Sequence, residues 1–549
     1  VYHNTVKTVS SFGFRFGSPR GETMGKDLRT LPIELKVQRT TPLDTSAWKF
    51  KQAQSFFPPL EKLFKTEALS NVRECGVRLS HPIQKIVDAD HIQVKGKTVE
   101  IHRKTTMILS PFKWMRGDYG TMGLPNSEEN ASDQQDTLQS AHTAGYVGAL
   151  TSILLSESDC IHFPRVYGVY VGLADSHTID ISDDYEDLSD RKWFGDQIGK
   201  TFELKLRPHD VAAEFSYTRS QRATLALGED IQLEGFQDLE AERMNTPSTR
   251  SHSHSEEDDE SFSESDFSSE EDDDEFDIRS CDCSEISEDG LDDEGDGEPF
   301  AWAIFSKVPV ITTVMEKCTG TFYDLLEKHS EPEKHCAWVS QMVFALAYAQ
   351  RNFGFTHNDL HGNNVMYVPT DQEFLYYTTG GHSYKVPTYG YILKLIDFDR
   401  AITTVRLCGM KEPRTFVSSQ FQSNDEAAGQ YNLEPFFTTT QPRIPPNPSF
   451  DLGRFATSVF WDLFPEGPTH AYTHPLFEVF KQWMTQQDGT SVLFRKELDR
   501  HDRYHGFDLY KAIARYCKDS AVPRNEITKM TSYQISTIPL GSSYLFIDS

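Results

Sequence analysis

The eight cysteines of this 549-residue chain form no CxxC pair and no zinc-ligand spacing, and only Cys281 and Cys283 stand close together. Neither a disulfide framework nor a structural zinc site is expected, and the thiols read as free in a reducing compartment. No run of 18 or more apolar residues occurs, so no membrane-spanning helix is expected. The first residues, VYHNTVKTVSSFGF, lack the basic, then apolar, then small-residue order of a secretory signal, so secretion is not expected. Basic residues are in deficit, 54 Lys+Arg against 83 Asp+Glu, which leaves no electrostatic footprint for sequence-independent nucleic-acid binding.

Aromatic residues are plentiful, with 37 Phe, 22 Tyr and 7 Trp, which excludes a wholly disordered chain, and the length of 549 residues predicts two to four domains or lobes. The net charge of −29 is unevenly placed. Residues 256–298 hold 23 of the acidic residues and a single basic one, Arg279, which leaves −7 on the rest. That tract reads first as a solvated linker. Its other readings are a dock for a basic protein partner and an autoinhibitory pseudo-substrate. Ser261, Ser263, Ser268 and Ser269 each precede an acidic residue by three positions, an acidophilic phosphoacceptor pattern. Cys281 and Cys283, with His252 and His254 upstream, read as incidental polar-tract residues rather than a metal site.

Residues 1–85 show few periodic runs and read as an N-terminal extension. From His91, HIQVKGKTVEIHRKTTMIL alternates and turns at Lys95-Gly96-Lys97, which predicts successive strands. Ala141–Ser156 is apolar without Pro and predicts a helix, and FPRVYGVYVG (163–172) predicts a strand. The pattern then stops until AWAIFSKVPVITTVMEKC resumes near Phe300, so residues 173–300 read as an insertion within a β-rich lobe. Such an insertion is tolerable because loop-closure entropy grows slowly with length. Beyond Thr319 the spacing turns helical. Trp338, Met342, Ala345 and Ala349 share one broad apolar face, Val365–Val368 and Tyr391–Phe398 read as short strands, and Phe450–Phe464 reads as a buried helix. The expected fold class is α+β: a β-rich N-lobe over 86–318 and a larger helical C-lobe over 319–549.

Two motifs carry chemistry. HNDLHGNN (His357–Asn364) follows the Trp338 helix, and LIDFD (Leu395–Asp399) ends an apolar strand. Phosphoryl transfer needs a carboxylate to orient an acceptor hydroxyl and oxygen ligands to hold Mg²⁺ on the phosphates. H-x-D-x-x-x-x-N supplies Asp359 as base and Asn364 as metal ligand, and the D-F-x turn supplies Asp397 as the anionic ligand. His357 would brace the loop backbone.

HNDLHGNN with IDFDRA resembles the eukaryotic-type protein-kinase fold in the divergent form shared with haspin-like and aminoglycoside-kinase-like enzymes. Collinear stretches over most of 95–465 more closely resemble the serine/threonine protein kinases of large nucleocytoplasmic DNA viruses. Among them are KTTMILSPFKWMRGDYG (104–120), VPVITTVMEKC (308–318), FTHNDLHGNNVMYV (355–368), GQYNLEPFF (429–437) and PNPSFDLGRFATS (446–458). The resemblance implies a two-lobed kinase-like fold with ATP and Mg²⁺ between the lobes and His361 in place of the catalytic-loop Lys. It further implies Lys104 on the α/β-phosphates, with Lys113 as the second candidate, and Glu316–Cys318 as the hinge that meets adenine. The Glu316 side chain itself is expected to face solvent. Asp451 would tie down the catalytic loop, with helix capping as its alternative role.

Three departures stand against that pattern. Asp399 occupies the position after Phe where Gly is usual, and Gly148 falls where a helical carboxylate should pair Lys104. Third, no G-x-G-x-x-G precedes the first strands. Separately, no A-P-E follows Arg400, so control by activation-loop phosphorylation is not expected. The function expected is Ser/Thr-directed protein phosphorylation in the virion or host cytoplasm. The alternatives are a weakly active or inactive pseudokinase-like virion component and a small-molecule phosphotransferase. Virion proteins join the protein substrate as expected partners.

Overall fold

The computed structural model describes residues 75–120, 122–125, 142–158, 160–207, 279–280, 300–407, 412–422, 425–431, 444–495, 503–504, 506–517 and 519–548, with shorter pieces between 32 and 55. The fold is α+β. Most of the acidic tract, Ser261, Ser263, Ser268, Ser269, Cys281, Cys283, His252 and His254 lie outside the described residues.

An eight-stranded antiparallel sheet is built around two long neighbours, Val166–Asp180 and Phe300–Glu316. Lys97–Met107 pairs with the second of these, and His91–Val94 and Lys85–Ile86 complete that side. The hairpin at 94–97 turns through Lys95 (φ 49°) and Gly96 (φ 75°), as the Lys-Gly-Lys sequence predicts. Two boundaries differ from the sequence reading. The strand beginning at Val166 runs on to Asp180, and Glu203–Arg207 pairs with Phe300–Ile304, so the chain leaves the sheet for the long segment at Arg207 rather than Gly172. Polar residues Ser176, His177, Thr178 and Asp180 break the apolar pattern, yet backbone pairing to 302–306 carries the strand through them. The first 85 residues are also more than an extension. Phe50–Gln54 pairs with the 166–180 strand, and buried Trp48 meets Tyr170 edge-on at 5.5 Å.

The helix Ala144–Glu157 lies against this sheet and is buried on nearly every side. Gly145 makes that approach possible, since a Cβ there would sit 2.6 Å from Ile311 Cγ2. The helical region is organised by Pro332–Phe353. This helix opens with Pro at its first turn and closes on Gly354 in the left-handed conformation (φ 51°). Trp338, Met342, Ala345 and Ala349 are all buried, so the predicted apolar face is the core face. Phe344 stacks on Tyr377 at 4.0 Å, which joins the helix to the hairpin Phe374–Thr379/His382–Pro387. Phe450–Leu463, Leu476–Trp483 and Gly506–Tyr516 pack beyond it, the last two being helices that the sequence reading did not single out. Among the described residues no helix is long and apolar enough to cross a membrane, and Cys160, Cys318, Cys336 and Cys517 are free thiols.

His162 stitches the sheet region to the strands behind the helices. Its Nδ1–H donates to Leu393 O at 2.9 Å, which leaves Nε2 to accept the Tyr377 hydroxyl at 2.9 Å. Burial pushes its pKa down to about 4, aided by the charge of Lys394. The unfolded chain takes up this proton below about pH 6.5. The stability that His162 supports is therefore intact above that value and is lost as pH falls toward 4. The loss is expected to be on the order of 2–3 kcal/mol. Urea unfolding at pH 7 and pH 4.5 should show a smaller acid drop in His162→Gln than in the wild type, and equal drops would refute the assignment.

Candidate active site

The loop His357–Asn364 begins where the Pro332–Phe353 helix ends, and its backbone is held from below by Asp451. That carboxylate is fully buried in the first turn of Phe450–Leu463. It accepts the His357 N–H at 3.0 and 2.9 Å and the Asn358 N–H at 3.0 Å. Ser449, not Asp451, stands at the helix N-cap, so the role is loop anchoring rather than capping. Burial pushes the Asp451 carboxyl up to about 6, against the opposing pull of His357 and these N–H bonds. Asn358 is held with φ at 65°, a conformation that Asn tolerates better than most residues. Its side chain donates to Arg400 O at 2.9 Å and accepts the Tyr431 hydroxyl at 2.5 Å.

His357 braces the loop as expected. Its Nε2–H donates to Ile396 O at 2.7 Å, and its Nδ1 receives the Asp359 N–H at 3.4 Å. The Ile396 N–H in turn donates to Asn364 O at 3.1 Å, so the two motifs are bound backbone to backbone. Phe398 is buried between Phe163, Phe355 and His357, which anchors the turn that carries Asp397 and Asp399. The left-handed residue of this turn is Asp397 (φ 65°), not Asp399. The missing glycine after Phe398 therefore imposes no strain, because position 399 does not use the backbone freedom that Gly would supply.

Asp359, Asn364, Asp397 and Lys104 come together from three separate stretches of chain. The Asn364 amide donates to Asp359 O at 2.8 Å and lies 3.2 Å from His361 Nε2, which leaves its Oδ1 as the atom that could meet a cation. His361 is buried, with Nε2 3.9 Å from Asp359 Oδ1. The Asp359 carboxylate also accepts the hydroxyl of Tyr510 at 2.6 Å. Tyr510 is a residue the sequence reading missed. It belongs to the Gly506–Tyr516 helix, and Arg454 covers its ring at 4.6 Å. No local motif marks it.

Lys104 Nζ reaches Asp397 Oδ1 at 2.7 Å and Asp399 Oδ2 at 2.8 Å. Burial works against the charge on Lys104, but the two carboxylates outweigh it and raise the ammonium pKa. Burial also opposes ionisation of Asp397, yet Lys104 more than offsets it and holds that carboxyl below its usual range. Asp399 is pushed up, chiefly by burial and further by the neighbouring Asp397 charge. Lys113, the other lysine candidate, is not brought here. It sits in the short helix Pro111–Arg116 and pairs with buried Asp425 at 2.8 Å, across to the segment that follows the Asp397–Asp399 turn.

Glu316 and Cys318 stand at the end of the Phe300–Glu316 strand, next to the Lys104 strand through the pairs Thr313–Lys104 and Glu316–Ile101. The Glu316 side chain does not face solvent freely. Its carboxylate accepts Lys394 Nζ at 2.9 Å and the Arg165 N–H at 3.2 Å, a link from the strand end to Tyr391–Leu395. Burial pushes the Cys318 thiol up to about 12, which favours its neutral form.

Among the described residues, no group of three or more His, Cys, Asp or Glu side chains is arranged to hold a metal. One carboxylate and one amide oxygen suit a hard cation that takes its remaining ligands from phosphate and water, which is how Mg²⁺ binds at phosphoryl-transfer sites. The residues present therefore fit Mg²⁺ delivered with a nucleotide.

No family model matches the chain. A Caenorhabditis elegans protein described only as "Uncharacterized protein ZK177.2" is 30% identical over 80 residues, 15% of this chain. The match spans a quarter of that protein's length.

Proposed function

We propose that this chain is an ATP- and Mg²⁺-dependent phosphotransferase of the two-lobed protein-kinase type, directed to Ser/Thr hydroxyls of protein substrates. The observation that carries the reading is the linkage of Asp359, Asn364, Asp397 and Lys104 into one site, from positions 104, 357–364 and 395–399 of the sequence. On this reading Asp359 orients the acceptor hydroxyl and takes its proton, and Tyr510 holds that carboxylate in place, with His361 beside it bracing Asn364. Asn364 and Asp397 would hold Mg²⁺, which when bound neutralises charge on the phosphates. Lys104 would meet the α/β-phosphates, and the backbone at Glu316–Cys318 would meet adenine. The pair Lys113–Asp425 supports a segment held in place without a phosphate, since a built-in carboxylate already faces a built-in ammonium. The resemblance to kinases of large DNA viruses is what favours a viral protein kinase acting in the virion or host cytoplasm.

The test uses the purified full chain with Mg²⁺ and γ-labelled ATP on acidic and basic protein substrates. Label on Ser/Thr and a Mg²⁺-dependent thermal shift with ATP are expected. Even outer-shell partners are worth about 10–100-fold in metal affinity, so Asp397→Asn should cost at least that and lose the Mg²⁺-dependent shift. Wild-type protein with neither transfer nor shift would end the enzyme reading and leave a docking body. Transfer confined to small-molecule hydroxyls would move the chain to the aminoglycoside-kinase-like class.

A further inference from the structure

Two departures from the kinase pattern meet in space. Gly148 lies on the Ala144–Glu157 helix, and a Cβ built there would stand 1.9 Å from Asp399 Oδ1 and 3.0 Å from Asp399 Cγ. The carboxylate of Asp399 therefore occupies the volume that any side chain at position 148 would need. From there its Oδ2 bonds Lys104 Nζ at 2.8 Å and accepts the Thr106 hydroxyl at 3.1 Å. Thr106 lies two residues beyond Lys104 on the same strand and shares its face, so strand, turn and helix all close on one carboxylate. The side chain of Asp399 is 17% exposed, against 41% for Asp397, so Asp399 is the inner of the two partners of Lys104.

We propose that Asp399 is a positioning residue that holds Lys104, with Gly148 as the notch that admits it. The helix carboxylate absent at 148 is supplied from the metal-binding turn instead. Lys104 then has two anionic contacts with separable duties. Asp397 can exchange Lys104 for a cation when a nucleotide arrives, while Asp399 keeps the ammonium aimed into the site. The same contact ties the turn to the helix, so the lysine, the helix and the turn are held as one unit rather than adjusted separately. A side chain 1 Å out of place costs about 100-fold in rate, so the contact is worth testing by kinetics. Its catalytic consequence rests on the phosphotransfer reading; the pairing does not.

The experiment is a double-mutant cycle in the full chain on Gly148→Ala and Asp399→Gly, together with the exchange variant Gly148→Glu/Asp399→Gly. Gly148→Ala should lower the Tm by several degrees in the wild-type background and by much less once Asp399 is Gly, where the nearest remaining atom of residue 399 is Cα, 3.3 Å from the added Cβ. Asp399→Gly alone should raise the reactivity of Lys104 toward an amine-directed acylating reagent. It should also cut kcat/KM for ATP by about 10–100-fold, with most of that loss recovered in the exchange variant. Equal Tm losses from Gly148→Ala in both backgrounds would overturn the notch. Unchanged Lys104 reactivity in Asp399→Gly would overturn the pairing. Coupled stabilities without kinetic recovery in the exchange variant would overturn the positioning role. If the wild-type protein transfers no phosphate, the function proposed above fails, while the stability cycle and the amine reactivity still decide whether Asp399 holds Lys104.

Discussion

Asp359→Asn is expected to lower phosphoryl transfer by about 10²–10⁴-fold, the range over which a positioned proton acceptor contributes. The Mg²⁺-ATP thermal shift should persist. Asparagine is the informative replacement because it keeps the shape of the carboxylate and one oxygen for the Tyr510 hydroxyl, now 2.6 Å from Asp359 Oδ1, but cannot take the acceptor's proton. Asp359→Ala should match it in rate and add a stability loss, because Tyr510 is buried beneath the site and its hydroxyl would lose that acceptor. Single-turnover transfer with labelled ATP reads the first effect, and thermal unfolding without nucleotide separates the two variants. Transfer within about threefold of wild type in Asp359→Asn would remove Asp359 from the role of base.

Asp451→Ala should produce the largest stability loss of any single site residue, about 3–5 kcal/mol. The estimate follows from two buried N–H groups, those of His357 and Asn358, that lose their acceptor together. Each such orphan costs about 1–3 kcal/mol, and the left-handed backbone at Asn358 then loses the support that holds it. Asp451→Asn retains one acceptor oxygen and should cost less than half as much. Denaturant unfolding measures the difference. Because the loop also carries Asp359 and Asn364, transfer should fall with the alanine variant even where it remains folded. An alanine variant within about 1 kcal/mol of wild type would show that the loop is held from elsewhere.

The candidate site was legible where it is local. Asp359, Asn364 and Asp397 announce themselves because their spacing within HNDLHGNN and LIDFD is dictated by one loop and one turn. The α+β class was also legible, from the alternation near His91–Met107 and the helical spacing from Trp338. Strand ends were harder. Residues 173–180 look polar because one face of that strand end is left open, and what keeps them extended is pairing with residues more than 100 positions away. The pairs Lys113–Asp425 and Gly148–Asp399 join residues about 250 or more positions apart, and nothing around either member points to its partner. Glu316 was misjudged for the same reason, since Lys394 and Arg165 become its neighbours only after the chain folds back. Tyr510 belongs to a helix whose sequence gives no sign of what its buried face will touch.

The pairing of Arg207 with Phe300 brings both ends of the 208–299 segment to one rung of the sheet. Between those ends, among the described residues, only Arg279 and Ser280 touch the strands, at the Asp180 edge. Geometrically that rung is a port. Whatever is threaded between the two residues need not alter the register of the strands that leave and re-enter there, and opposed residues of an antiparallel pair are already close enough for a short turn to join them. Length and charge can thus vary between Arg207 and Phe300, by selection or by an engineer, without shifting that rung, so long as the Arg279–Ser280 pairing with Ile179–Asp180 is kept.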